Sequence, residues 1–173
     1  MLPTVYRPRL HASLCIAFAS SLVLTSRVAE GQAPEGVAVG ARAPSVTVTD
    51  LNGHVLRLGP SNGRPMVIEF WATWCEFCER LEPQMKSVFG KYGNRVQFAA
   101  IAVNVNQSTS RVARHVTYRS LAYPVYYDAS GMATAAYQVE ATSYVVIVDG
   151  KGRVAYTGIG DKQDLDAAIR HVL

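Results

Sequence analysis

The stretch "MVIEFWATWCEFC", Met66 to Cys78, constrains the fold more than any other part of the chain. Met66 to Trp71 is an apolar run broken by one acid, Glu69. The turn-forming segment "GPSNGRP" precedes it. A short apolar run bounded in this way reads as a strand buried on both faces. From Cys75 to about Phe89 the apolar residues Leu81, Met85, Val88 and Phe89 fall at helical spacing, and Pro83 inside the segment predicts a kink. Val96 to Val105, "VQFAAIAVNV", reads as a second buried strand. Strand, helix and strand make a βαβ unit with parallel pairing, so the chain is of the α/β class.

The remaining segments extend this unit. "SVTVTDLNGHVLRL" places two runs of strand formers around Asn52-Gly53, a strong hairpin signal. Thr109 to Leu121 reads as a helix with Arg111, Arg114 and Arg119 on its polar side. Pro124 to Tyr127 is a short strand, and Met132 to Gln138 a short helix. Ser143 to Asp149, turned by "GKG" into "RVAYTG", predicts an antiparallel hairpin. Asp161 to Val172 closes the chain as a helix with Leu165, Ala168, Ile169 and Val172 on one face.

The N-terminus has a different character. Arg7 and Arg9 precede the apolar stretch "ASLCIAFASSLVLTS", and the polar "RVAEGQAPEG" follows. This is the pattern of a secretory signal over residues 1–31, with Ala29 and Gly31 as the small residues before the cut. The apolar run is shorter than the ~20 residues of a spanning helix, so an uncleaved membrane anchor is the weaker reading. Residues 32–44, rich in Gly, Ala and Pro, read as a linker, and residues 45–173 as the domain. The expected location is therefore periplasmic or secreted. Beyond residue 31 the chain carries 14 basic and 12 acidic residues. That near-neutral balance, without a basic run, gives no case for nucleic acid binding.

Removal of the signal would take Cys15 with it and leave Cys75 and Cys78. A disulfide closing so short a loop restrains the unfolded chain little, which favours chemistry over stapling. The pair follows a strand and opens a helix. There the unpaired N–H groups and the dipole favour a thiolate at Cys75, the attacking species. Cys78, one turn further in, would then resolve the mixed disulfide. A zinc site needs about four ligands. There is no second CxxC, and His54, His115 and His171 lie in three different elements, so no metal is expected.

"VIEFWATWCEFC", with Pro83 five residues after Cys78, resembles the thioredoxin superfamily. The N-terminal hairpin and "YQVEATSYVVIVDGKGRVAYTG" resemble its extracytoplasmic TlpA/ResA/DsbE-like branch, and the resemblance spans Val39 to Leu173. It implies a thioredoxin-like fold: a central mixed β-sheet flanked by helices, here with an N-terminal β-hairpin extension. It implies a redox-active Cys75–Cys78 disulfide with Cys75 as nucleophile and Cys78 as resolving thiol. Trp74 would flank the attacking sulfur and shape the docking surface, and Glu69 stands where thioredoxins carry a buried acid. No cofactor is implied. The implied partners are protein disulfide substrates and a membrane thiol electron donor, for a chain expected as a monomer.

One position departs from the family. The cis-proline that normally faces the disulfide falls on Ser143, and no proline follows Pro124. A cis bond before a non-proline residue costs about 2.5–4 kcal/mol, so a trans bond is expected at Thr142–Ser143. Thr142 and Ser143 either offer hydroxyls to thiolate or substrate or simply begin a strand. The sequence before Cys75 also lacks the Pro-x-x-x-Thr/Ser-x-x-Cys pattern of peroxiredoxins. Glu76 beside Cys75, and an ionised Glu69, oppose thiolate formation, which points to a disulfide reductase rather than a strong oxidant. Cytochrome c maturation is one use the resemblance implies. Two other classes remain: a soft-metal (copper) chaperone using the same cysteines, and a non-catalytic thioredoxin-like binding module.

Overall fold

The computed structural model describes residues 36–60 and 63–173, so the stretch read as a secretory signal and the start of the stretch read as a linker lie outside the described residues. The chain builds β1 (Val46–Asp50), β2 (Val55–Leu58), β3 (Met66–Trp71), α1 (Glu76–Tyr92), β4 (Gln97–Ala102) and α2 (Thr109–Arg119). It continues through β5 (Val125–Tyr127), α3 (Met132–Ala136), β6 (Tyr144–Val148) and β7 (Val154–Ile159) to α4 (Leu165–His171). The seven strands form one sheet in the order β2-β1-β5-β4-β3-β6-β7. β3, β4 and β5 run parallel, as the intervening helices require, and every other pairing is antiparallel. The N-terminal hairpin extends the same sheet, because β1 pairs with β5.

β3 is the inner strand around which the site is built. All six of its residues are buried, Glu69 included, because β4 and β6 flank it and side chains cover both faces. α1 starts directly after its carboxyl end and continues through Pro83 to Tyr92. Leu81, Met85 and Val88 face the sheet, at the i, i+4, i+7 spacing of one apolar stripe. α1 packs beside α4, where Lys91 Nζ and Tyr92 Oη bond Asp166 at 2.6 and 2.8 Å. α3 packs on β1.

The stretch expected as a linker is packed from residue 36 onward. Arg42 bridges Arg153, Gly40 N–H donates to the Val154 carbonyl, and Val37 N–H donates to the Tyr144 hydroxyl at 3.1 Å. Gly36 has φ +84°, and a Cβ there would collide with the Tyr144 ring, so this entry to the domain requires glycine. Among the described residues no helix is long and apolar enough to cross a membrane.

Candidate active site

The end of β3 and the loop after β4 hold each other in place. Thr73 N–H donates to Gln107 Oε1 at 2.9 Å, and Gln107 Nε2 donates back to the Val103 carbonyl. Trp74 Nε1 donates to the Val105 carbonyl at 2.8 Å, which fixes an indole that is still 45% exposed. Cys75 is the N-cap of α1 rather than its first residue, and its Sγ accepts the Cys78 N–H at 3.0 Å. A sulfur takes the place that a Ser or Asp oxygen often fills at a helix N-terminus. The same N–H that caps the helix would therefore stabilise a thiolate at Cys75.

Cys75 and Cys78 are joined as a disulfide, with Cα atoms 5.2 Å apart. Cys75 is 8% exposed and Cys78 5%. Glu76, expected to set a negative charge beside Cys75, is instead paired with Arg80 at 2.6 Å. Arg80 also bonds Asp161 at 2.6 Å and lies over the Phe77 ring. Its charge is thereby engaged, and it is not a free cation for the thiolate.

Behind the disulfide is a cavity of about 150 Å³ lined by Glu69, Trp71, Thr73, Cys78, Glu82, His115 and Tyr123, among others. Glu69 reaches it from the centre of β3. Burial, with a smaller contribution from the negative charge of Glu82, pushes its carboxyl up to about 8. The expectation that an ionised Glu69 opposes the Cys75 thiolate is thus corrected: at neutral pH this carboxyl is mostly protonated.

Glu82 is itself buried, and two cations hold it. Lys86 Nζ lies 2.8 Å from Oε1, and Arg119 Nε 2.9 Å from Oε2. Arg119, read as part of the polar face of α2, turns inward and also pairs with Glu79. A charge buried this deeply requires such partners. Burial chiefly, then the charges of Glu69 and Glu82, raise the Tyr123 phenol, so it stays protonated. The His115 ring packs on Trp71 with centroids 5.4 Å apart.

On the other side of Trp74 lies a shallow, largely apolar groove of about 330 Å³, lined by Val103, Val105, Val139, Ala141 and Thr142 with Trp74 itself. Thr142 lines this groove. Ser143 does not. No cis peptide occurs among the described residues, and Ser143 has φ +64° in the left-handed region. It is fully buried, and its hydroxyl donates to the Gly160 carbonyl at 3.1 Å, turned away from any substrate. Gln163 Nε2 donates to the Ser143 carbonyl at 3.2 Å and to the Gly160 carbonyl at 2.6 Å. The Tyr156 hydroxyl bonds Gln163 Oε1 at 3.1 Å. This network holds the turn by hydrogen bonds.

Sequence reasoning missed His115, Glu82, Tyr123 and Gln163. The pattern "LEP" before the helix proline showed an acid at an otherwise apolar position, which could have marked Glu82; nothing local marked the others. His54 is tied to Asp50 at 2.9 Å, far along the chain from the cysteines. No cluster of three or more His, Cys, Asp or Glu side chains set to hold a metal ion occurs among the described residues.

A disulfide capping the helix that follows the inner strand of such a sheet defines a thioredoxin-like protein. Residues 38–171 match the family model described as Redoxin, and the chain belongs to that family. It is similar to the thiol-disulfide oxidoreductase ResA of Geobacillus kaustophilus (strain HTA426), with 31% identity over 138 residues covering 79% of each chain. It is also similar to ResA of Bacillus subtilis (strain 168), with 28% identity over 120 residues, 69% of this chain and 66% of that one. The fold matches StoA from Bacillus subtilis with a TM-score of 0.63 at 19% identity, covering 73% of this chain and 96% of that one. It matches MTB dsbF with a TM-score of 0.66 at 21% identity, covering 74% and 95%. Family and disulfide together make the chain a thiol–disulfide oxidoreductase.

Proposed function

We propose that the protein is an extracytoplasmic reductase of protein disulfides, with Cys75 as nucleophile and Cys78 as resolving thiol. The observation that carries this reading is that the Cys75–Cys78 pair and Glu69 line one pocket, with Cys75 also capping the helix. The Cys75 thiolate attacks a substrate disulfide, forms a mixed disulfide and expels the first substrate thiolate. In the minority of molecules whose Glu69 is ionised at neutral pH, Cys78 gives its proton to that carboxylate. Its sulfur then bonds Cys75 Sγ and expels the second thiolate, so the substrate gains two electrons and the enzyme pair becomes a disulfide. Substrate chains lie against Trp74 and the Thr142 groove.

A strong oxidant must stabilise its thiolate extensively. Here the stabilisation is one N–H and the helix N-terminus, with Arg80 already paired, which supports the reducing direction. A membrane thiol donor restores the dithiol, and the charged and apolar segments before residue 31 support export. General disulfide reduction and the reductive step of cytochrome c maturation both suit this chemistry. Equilibration of the pair with glutathione tests the direction. The expected potential lies nearer the roughly −270 mV of thioredoxin than the roughly −120 mV of a strong oxidant, and a value at the latter end overturns it. Failure to reduce insulin with dithiothreitol as donor would overturn catalysis itself.

A further inference from the structure

The cavity behind Cys78 is more polar than packing alone explains. Trp71 and Thr73 line it, and their Nε1 and Oγ1 atoms are buried with no hydrogen-bond partner among the described residues. Buried polar atoms without protein partners are met by water. A water needs roughly 10–15 Å³ of space open to its centre, so about 150 Å³ has room for several waters. Glu69, 3% exposed in β3, lines this same pocket and can exchange a proton through it.

The titratable groups around the cavity differ in their freedom to carry that proton. Glu82 is fixed between Lys86 and Arg119, Glu79 is paired with Arg119, and Glu76 with Arg80. The Tyr123 phenol is raised far out of the neutral range. His115 is the remaining group. It is half-buried, with its ring on Trp71 at the cavity and solvent beyond. We propose that His115 carries protons between Glu69 and bulk solvent through the cavity water, resetting Glu69 in each redox turn.

This proposal rests on the reading of Glu69 as the proton acceptor of Cys78. During resolution the Cys78 proton passes to Glu69 in its minority ionised form, the Cys75–Cys78 bond forms, and the substrate thiolate leaves. The proton then moves through water to the neutral imidazole, which becomes imidazolium and releases it to solvent. When a donor dithiol reduces the disulfide, the flow reverses: Glu69 protonates the Cys78 thiolate that is expelled, and His115 replaces the proton.

The surroundings keep the resting imidazole neutral, so its imidazolium is a short-lived carrier. Burial, the largest influence, lowers the His115 pKa. Glu82 and Glu79 on α1 pull it up, and Arg119 and Arg111 on its own helix pull it down. Glu69 and Tyr123 complete the ring of groups facing the cavity. His115 acts through Glu69 and does not touch the reacting sulfurs, so its signature is proton delivery and not thiol reactivity.

The test is stopped-flow reaction of the fully reduced protein with dithiobis(nitrobenzoate) in weak buffer. The first thionitrobenzoate reports attack by Cys75 and the second reports resolution by Cys78. His115→Gln should slow the second phase about fivefold or more and leave the first within about twofold, inside the range of general acid–base effects. Millimolar imidazole should restore the second phase in His115→Ala. Glu69→Gln should slow the second phase about tenfold or more, with no rescue by imidazole. A normal second phase in folded His115→Gln, with Glu69→Gln slow, refutes the relay alone. Normal resolution in both variants refutes the reading of Glu69 on which it rests. Loss in His115→Ala that imidazole does not restore, or equal slowing of both phases, makes His115 a packing residue and overturns the proposal. His115→Asn, closer in size to the imidazole, replaces any variant that unfolds.

Discussion

Glu69→Gln should change how stability depends on pH, with a magnitude that follows from the site. The native carboxyl holds its proton up to about 8, whereas the unfolded chain releases it near the ordinary value of 4.5. Between those two values the native state binds more protons than the unfolded state, so stability falls as pH rises through the window. One pKa unit corresponds to about 1.4 kcal/mol. The ionisation penalty is then under about 1 kcal/mol at pH 5 and about 4 kcal/mol at pH 8, so the wild type loses roughly 3 kcal/mol across that range through this one group. Gln cannot ionise and the cavity leaves room for its amide, so the variant should lack this loss and be the more stable protein at pH 8. Urea denaturation of the oxidised protein at pH 5 and pH 8, followed by fluorescence of Trp71 and Trp74, measures the difference. If the two proteins lose stability in parallel to within about 1 kcal/mol, Glu69 is not held protonated by burial. The account of its role in resolution would then lose its physical basis.

Trapping separates the cysteines: Cys78→Ala should accumulate a mixed disulfide with a protein substrate and Cys75→Ala should not, as read on non-reducing gels, with equal trapping counting against Cys75 as nucleophile. Ser143→Pro should destabilise the fold by about 3 kcal/mol or more, because proline fixes φ near −65° where the chain has +64°. Ser143→Ala should cost about 1 kcal/mol through loss of the bond to Gly160. Both are read from denaturant midpoints, and a well-tolerated proline would show that the turn is not held in the left-handed region.

The elements and the cysteine pair were legible in the sequence, because their signals are local. An apolar run followed by two cysteines one turn apart specifies strand, turn and helix within a few residues, and β3 and α1 lie where those residues put them. Asn52-Gly53 marked the first hairpin, and "GKG" the second. Tertiary structure decided the environment of the sulfurs, because desolvation and charge depend on neighbours distant in the chain. Glu69 was visible as an acid in an apolar strand, yet its proton affinity is set by burial between β4 and β6 and by Glu82 from α1. His115 looked like one of several scattered histidines until α2 placed it at the cavity with Cys78. Ser143 could be recognised as a missing proline. That Gln163, 20 residues later, would hold its carbonyl could not be. Likewise, the segment that read as a linker is bound by the hydroxyl of Tyr144, 107 residues beyond Val37. Hydrogen bonds and electric fields act over ångströms in space, and only the folded chain decides which residues come that close.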